Sequence, residues 1–247
     1  MLSRSFSAGI LLFILYRRCP YNKTGGYMDA IECIRTRMSI RKFRPEPVSR
    51  EILSEIIKTA QCSPSYKNSQ PWEVAIVSGE KKEELSKALI ELIEKDAPPQ
   101  PDIPEPVSWP PHIEQRMAEH MRKRSEKFGF NIADPGLLKR SKIANSRFYG
   151  APHGIFLFQD QTLPTWSILD IGMFAHGLML AANAHGVGTV PQAFLTDYPA
   201  TVKRVLKIPD SKRLVLGISI GYPDMEDKAN SYKSQRVDLS EMLKWVE

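Results

Sequence analysis

Apolar positions along the chain alternate between helical and strand-like periods. Ile31, Ile34 and the turn around Cys33 predict a first helix that ends before Pro45. "SREILSEIIKTAQC" (49–62) places Ile52, Leu53, Ile56, Ile57 and Ala60 on one stripe, with Ser49 suited to cap it. The polar run "SPSYKNSQP" (63–71) reads as loop, and "WEVAIVSG" (72–79) reads as a strand. Residues 80–96 predict a helix with Leu85, Ala88, Leu89 and Leu92 inward. Residues 97–112 hold too many prolines for a helix or central strand, so they form a linker or an excursion over a site. Charges alternate in sign along 113–128, as on a solvated helix.

Further on, "GIFLFQD" (154–160) predicts a buried strand and "WSILDIGMFAHGLMLAANAHG" (166–186) a long apolar helix central to the core. A short strand at 188–194, a helix at 200–208 and the most apolar strand, 213–223, follow. The last two dozen residues are polar, with apolar anchors Leu239, Met242 and Trp245, like an arm laid over another surface. Helices mix with four strands, without an internal repeat. One α+β domain over 28–247 is therefore expected, with a mixed central sheet and helices on both faces. Within it, 97–128 forms a lid-like insertion and 224–247 a C-terminal arm.

Composition narrows the function. At 247 residues, 42% hydrophobic and 25% charged, the chain can bury a sizeable core. Of its net +6, four charges belong to Arg4, Arg17, Arg18 and Lys23, leaving +2 on the rest. That balance argues against a nucleic-acid binder built on a basic surface. The apolar run from Ala8 to Tyr16 is short of the roughly 20 residues that span a bilayer. Residues 1–27 are read as an extension outside the fold. Cys19, Cys33 and Cys62 show no metal-site spacing and fit a reducing, cytoplasmic setting.

Phosphate-loop and dinucleotide glycine motifs are absent; the short "HGVGTV" suits a helix cap. The histidines 112, 120, 153, 176 and 185 never take H-E-x-x-H spacing, so no metal is expected, and no G-x-S-x-G marks a nucleophile. What remains is "RTRMSIRKFR" (35–44), with five cations and no acid. If residues 37–41 run extended, Arg37, Ser39 and Arg41 share one side within about 14 Å, at roughly 3.4 Å per residue. Such a row suits a ligand with a phosphate, a polyol and a polar ring, or it is a solvated basic turn. The loop at 63–71 could offer N–H groups and amides to a planar heterocycle, or be an ordinary surface turn.

Taken in order, "RxSxR", "SPSxxNSQPW", the long apolar helix, "GTVPQAF", "GISIGYP" and a final Arg resemble the FMN-dependent nitroreductase family over about residues 29–245. The middle insertion and "VPQAF" are most similar to the branch acting on nitrobenzoates and other nitroaromatics. The resemblance implies an intertwined homodimer with two FMN sites at the interface. It also implies ping-pong hydride transfer from NAD(P)H to nitroaromatic or quinone-type acceptors. Ene reduction, reductive dehalogenation and flavin binding without turnover stay open within the same fold.

Matched by position, Arg37 would hold the FMN phosphate with Arg236 as its second ligand. Met38 and Ser39 would follow along the cofactor, Ser39 at the ribityl chain, and Arg41 would lie at the N1–C2 edge. Pro64, Ser65, Tyr66 and Asn68 would face ring and ribityl from the other subunit, with Gln70 bracing the loop. The backbone of Pro191, Gln192 and Ala193 would address the N5 and O4 edge. Tyr66, Trp109, His112 and Phe148 would line the acceptor slot. The flavin carries the chemistry, so no catalytic side chain is implied.

Overall fold

The computed structural model describes residues 29–247; the expected extension at 1–27, with Cys19, lies outside the described residues. In chain order the main elements are α1 (Ala30–Thr36), α2 (Arg50–Ala60), β1 (Glu73–Ser78) and α3 (Gly79–Glu94). Next come α4 (Pro111–Phe128), α5 (Leu137–Ser146), β2 (His153–Asp160) and α6 (Ser167–Ala184). The last are β3 (Gly188–Gln192), α7 (Pro199–Leu206) and β4 (Lys212–Gly221). Helix α5 falls in a stretch for which the apolar pattern predicted no element.

The period of two along β2 organises the interior. Phe156 and Phe158 point into one layer, with Leu85 and Leu89 of α3 and Val202 of α7. Ile155 and Leu157 point into the other, with Leu53 and Ile56 of α2 and Phe174 and Leu178 of α6. Both faces of the strand are therefore covered, and each of these side chains contributes roughly 1.5–3 kcal/mol by leaving water. Local signals fix the helix starts: Asp29 caps α1, and Ser49 Oγ accepts from Ile52 N–H at 3.3 Å to cap α2.

The strands pair in the order β1-β2-β4-β3, every pair antiparallel. The parallel component of the expected mixed sheet is confined to one bridge, Ser39 with Thr189, where Ile40 N–H donates to Thr189 O at 3.0 Å. Residues 37–43 stop short of a full strand because Pro45 and Pro47 follow and cannot donate to a ladder.

Helix α6 is the one described helix long and apolar enough to cross a membrane. Its packing on α2 and the sheet is that of a core helix on one side only. The other side, expected to be buried, carries exposed Trp166, Leu169, Met173 and His176 at helical spacing.

Candidate functional site

Arg37 leaves the end of α1, and the chain then runs extended. Ile40 is buried and Met38 packs against the core, so Arg37, Ser39 and Arg41 stand on the opposite side. One parallel bridge sets Ser39 beside Thr189 of β3, and the chain then turns to pair Phe43 with Pro223, just past the end of β4. Through that bridge the basic row meets β3, the outer strand that ends at Pro191 and Gln192.

Buried Asn230 staples the C-terminal segment to the same row. Its Oδ1 accepts from Arg41 N–H at 2.8 Å, and its Nδ2 donates to Lys42 O at 2.8 Å and Asp224 O at 2.7 Å. The chain after this clamp carries Arg236 back toward Arg37. Burial, and then the charge of Arg236, hold the Arg37 pKa below the usual guanidinium value. Neither arginine has a carboxylate within ion-pair distance among the described residues. Lys233 Nζ donates to Arg35 O beside them.

Helix α4 adds two groups that sequence reasoning left on a solvated face. Burial, then Arg124, Arg41 and Arg236, hold the His120 pKa below the ordinary imidazole value. Burial and then Arg41 do the same to Arg124, whose Nε is buried without a hydrogen-bond partner among the described residues. A signal was available: Glu119 and Glu126 pair with Arg122, but Arg124 has no acid three or four residues away. The helix rests on the C-terminal arm through Lys123 to Gln235 Oε1 (2.6 Å), His120 Nδ1 to Tyr232 OH (3.3 Å) and Arg116 to Glu241 (3.4 Å).

Gln192 is 2% exposed. Its Nε2 donates to Asn145 O and Oδ1, both at 3.0 Å, and its Oε1 accepts from Ser219 Oγ. The side chain is thus turned inward, leaving only backbone for a ligand, while Pro191 and Ala193 are exposed. Phe148 is corrected as an acceptor contact because it is fully buried against Phe156, in space that a Cβ on Gly154 would occupy at 2.4 Å. Trp109 and His112 are exposed at the start of α4.

The loop at 63–70 is built separately. Tyr66 N–H donates to Asp170 Oδ1 at 3.2 Å, and Ser63 Oγ donates to Met173 O at 3.4 Å. Gln70 N–H donates to Ser65 Oγ at 3.0 Å, which braces the loop beyond Pro64. Lys67, Asn68 and Gln70 take φ of 50°, 58° and 46°, a left-handed cluster of the kind that collects at ligand clamps. Tyr66 is exposed, with the Trp166 ring edge-on at 6.5 Å. This loop grips α6 near Asp170, whereas α1 grips α6 at Asn183, whose Nδ2 donates to Cys33 O and Thr36 Oγ1. Thirteen residues of helix separate them, roughly 20 Å at 1.5 Å per residue. Within one chain, the loop and the arginine row stand apart.

Comparison with known proteins shows the family. A family profile described as "Nitroreductase family" matches residues 34–222. The chain belongs to the nitroreductase family. Among its nitroreductase relatives, a 4-nitrobenzoate reductase of Pseudomonas putida is 33% identical over 216 residues, covering 84% of this chain and 90% of that protein. The crystal structure of FMN-dependent nitroreductase NfnB from Mycobacterium smegmatis in complex with NADPH aligns with a TM-score of 0.83. It is 32% identical, covering 88% of this chain and 98% of that one. FMN- and NADPH-dependent NfnB from sphigopyxis sp. strain HMH aligns at 0.84 and 28% identity, covering 89% and 100%. The nitroreductase-like α+β fold expected from the sequence is thereby shown.

Proposed function

We propose that this chain is an NAD(P)H-dependent FMN oxidoreductase that reduces nitroaromatic or quinone-type acceptors by a ping-pong cycle. The names of its relatives support the cofactor, the donor and the nitroaromatic class. The observation that carries the reading is the convergence of Arg37, Arg41, Arg124 and Arg236 with no carboxylate among them. A bound phosphate would relieve the repulsion between Arg37 and Arg236, and guanidinium forks match its oxygens. Ser39, two residues on, offers its hydroxyl to the polyol. FMN therefore fits the residues present.

FMN, when bound, supplies the two-electron chemistry, accepting hydride from NAD(P)H and passing it to the acceptor. The chain's own task is orientation and charge. Arg41, whose backbone Asn230 holds, would be a preorganised cation where negative charge develops at the ring's N1–C2 edge. The backbone around exposed Pro191 and Ala193 would address the opposite edge. Pro64, Ser65, Tyr66 and Asn68 belong to the partner's contribution, since their own arginine row is roughly 20 Å away. Tyr66, with Trp109 and His112 at the rim, offers an aromatic wall for the acceptor.

The functional unit is accordingly a homodimer with two sites at the interface. Exposed Trp166, Leu169 and Met173 of α6, Ile31 and Ile34 of α1, and Tyr66 give an apolar surface for the pairing. The arm with Leu239, Met242 and Trp245 is a second such surface. Light scattering that returns the mass of a single chain would contradict the pairing. Free Cys33 and Cys62 support a cytoplasmic setting.

The cycle is tested by steady-state kinetics with NADPH and 4-nitrobenzoate varied together. Parallel double-reciprocal lines are expected. Intersecting lines would show both substrates bound at once and refute the ping-pong order.

A further inference from the structure

Helix α5 and its C-cap residue carry Arg140, Ile143, Ala144 and Arg147 at i, i+3, i+4 and i+7, so the four share one face. The two guanidinium stems stand roughly 10.5 Å apart along the axis, with a small apolar floor between them. This face lines a cavity of about 480 Å³ whose far wall brings in Arg41, Lys42 and Tyr149.

Four cations therefore meet around one space. Asp134 neutralises Arg140 through an Oδ2–Nη2 contact of 2.5 Å. Arg41, Lys42 and Arg147 have no carboxylate within ion-pair distance among the described residues. The ring is fixed by a strained turn, with Phe148, Tyr149 and Gly150 at φ of 54°, 52° and 80°. Asn145 Nδ2 donates to Tyr149 OH at 2.9 Å, and Asn145 is held in turn by Gln192. An aromatic face, an apolar floor and three uncompensated cations suit a heterocycle that carries phosphate. A single carboxylate would offset only one of those charges.

We propose that this cavity takes the phosphate-bearing adenosine part of the nicotinamide dinucleotide, and that Lys42 and Arg147 give the protein its preference for NADPH over NADH. The inference rests on the reductase reading above, because Arg41 is common to the flavin edge and the cavity. A dinucleotide whose nicotinamide lies on the ring would extend past Arg41 into this space. The added 2′-phosphate distinguishes NADPH, and guanidinium and ammonium groups bind it by charge-assisted hydrogen bonds.

Calorimetry on the FMN-loaded protein tests this with adenosine 2′,5′-bisphosphate against adenosine 5′-monophosphate. The bisphosphate is expected to bind at least tenfold tighter, with affinity that falls as salt rises. The double variant Lys42→Ala/Arg147→Ala should weaken the bisphosphate by about tenfold to a hundredfold. It should also lower the ratio of kcat/KM for NADPH over NADH by a similar factor, and Lys42→Arg/Arg147→Lys should restore both. A wild-type protein that binds the two nucleotides alike, or an unchanged ratio in the double variant, would overturn the proposal. So would a rise in KM for 4-nitrobenzoate with none for nitrobenzene, which would assign the cavity to the acceptor. Failure of the reductase reading looks different: the flavin of the wild-type protein would bleach with neither nucleotide.

Discussion

Arg37 and Arg236 come from opposite ends of the fold and meet with like charge, an arrangement that stability alone would disfavour. Arg37→Ala should therefore weaken FMN binding about 10- to 150-fold, from the roughly 1.5–3 kcal/mol of a charge-assisted contact. Quenching of FMN fluorescence by the apoprotein reads this directly, and unchanged affinity would remove Arg37 from the phosphate site. The alternation of Arg37, Ser39 and Arg41 was legible because buried Ile40 fixes which way a strand faces. Gln192 and Phe148 were not legible as inward residues. The first turns in to meet Asn145 and Ser219, the second fills space left by Gly154, and all three neighbours are distant in sequence or lack a side chain to announce them.

Among the elements, α2 could be read whole, since its apolar stripe and Ser49 cap are local signals. Helix α5 could not, because it carries few apolar residues and earns its place through Asn145, Gln192 and Tyr149. At the start of β2, His153 Nε2 accepts from Val48 N–H at 2.9 Å, so Nδ1 carries the proton and donates to Ser78 Oγ at 2.5 Å. Burial, with a smaller contribution from Lys82, holds its pKa below the ordinary 6.5. The unfolded chain then binds more protons below pH 6.5, so this contribution to stability is complete above that pH and is lost as pH falls through the folded value. Tm should accordingly drop as pH is lowered from 7 through 6.5, and His153→Gln, which keeps an acceptor for Val48, should flatten that slope. Identical slopes in the two proteins would exclude His153 as the source.

For the whole molecule, α6 sets the geometry. It holds the 63–70 loop at one end and the arginine row at the other, and Trp166, Leu169 and Met173 stand exposed near the loop's end. A second copy laid on that stripe explains both features, since each copy supplies the loop that the other's arginine row lacks. A single chain's periodicity reported α6 as simply apolar, because a side buried by a partner and a side buried by the core look alike in sequence. The decisive measurement is the visible absorption spectrum of the purified protein before and after anaerobic NADPH or NADH, and again after 4-nitrobenzoate. Flavin bands that bleach with the nucleotide and return with the acceptor are the predicted result. Protein that takes up no FMN on soaking, or flavin that stays oxidised with both nucleotides, would contradict it.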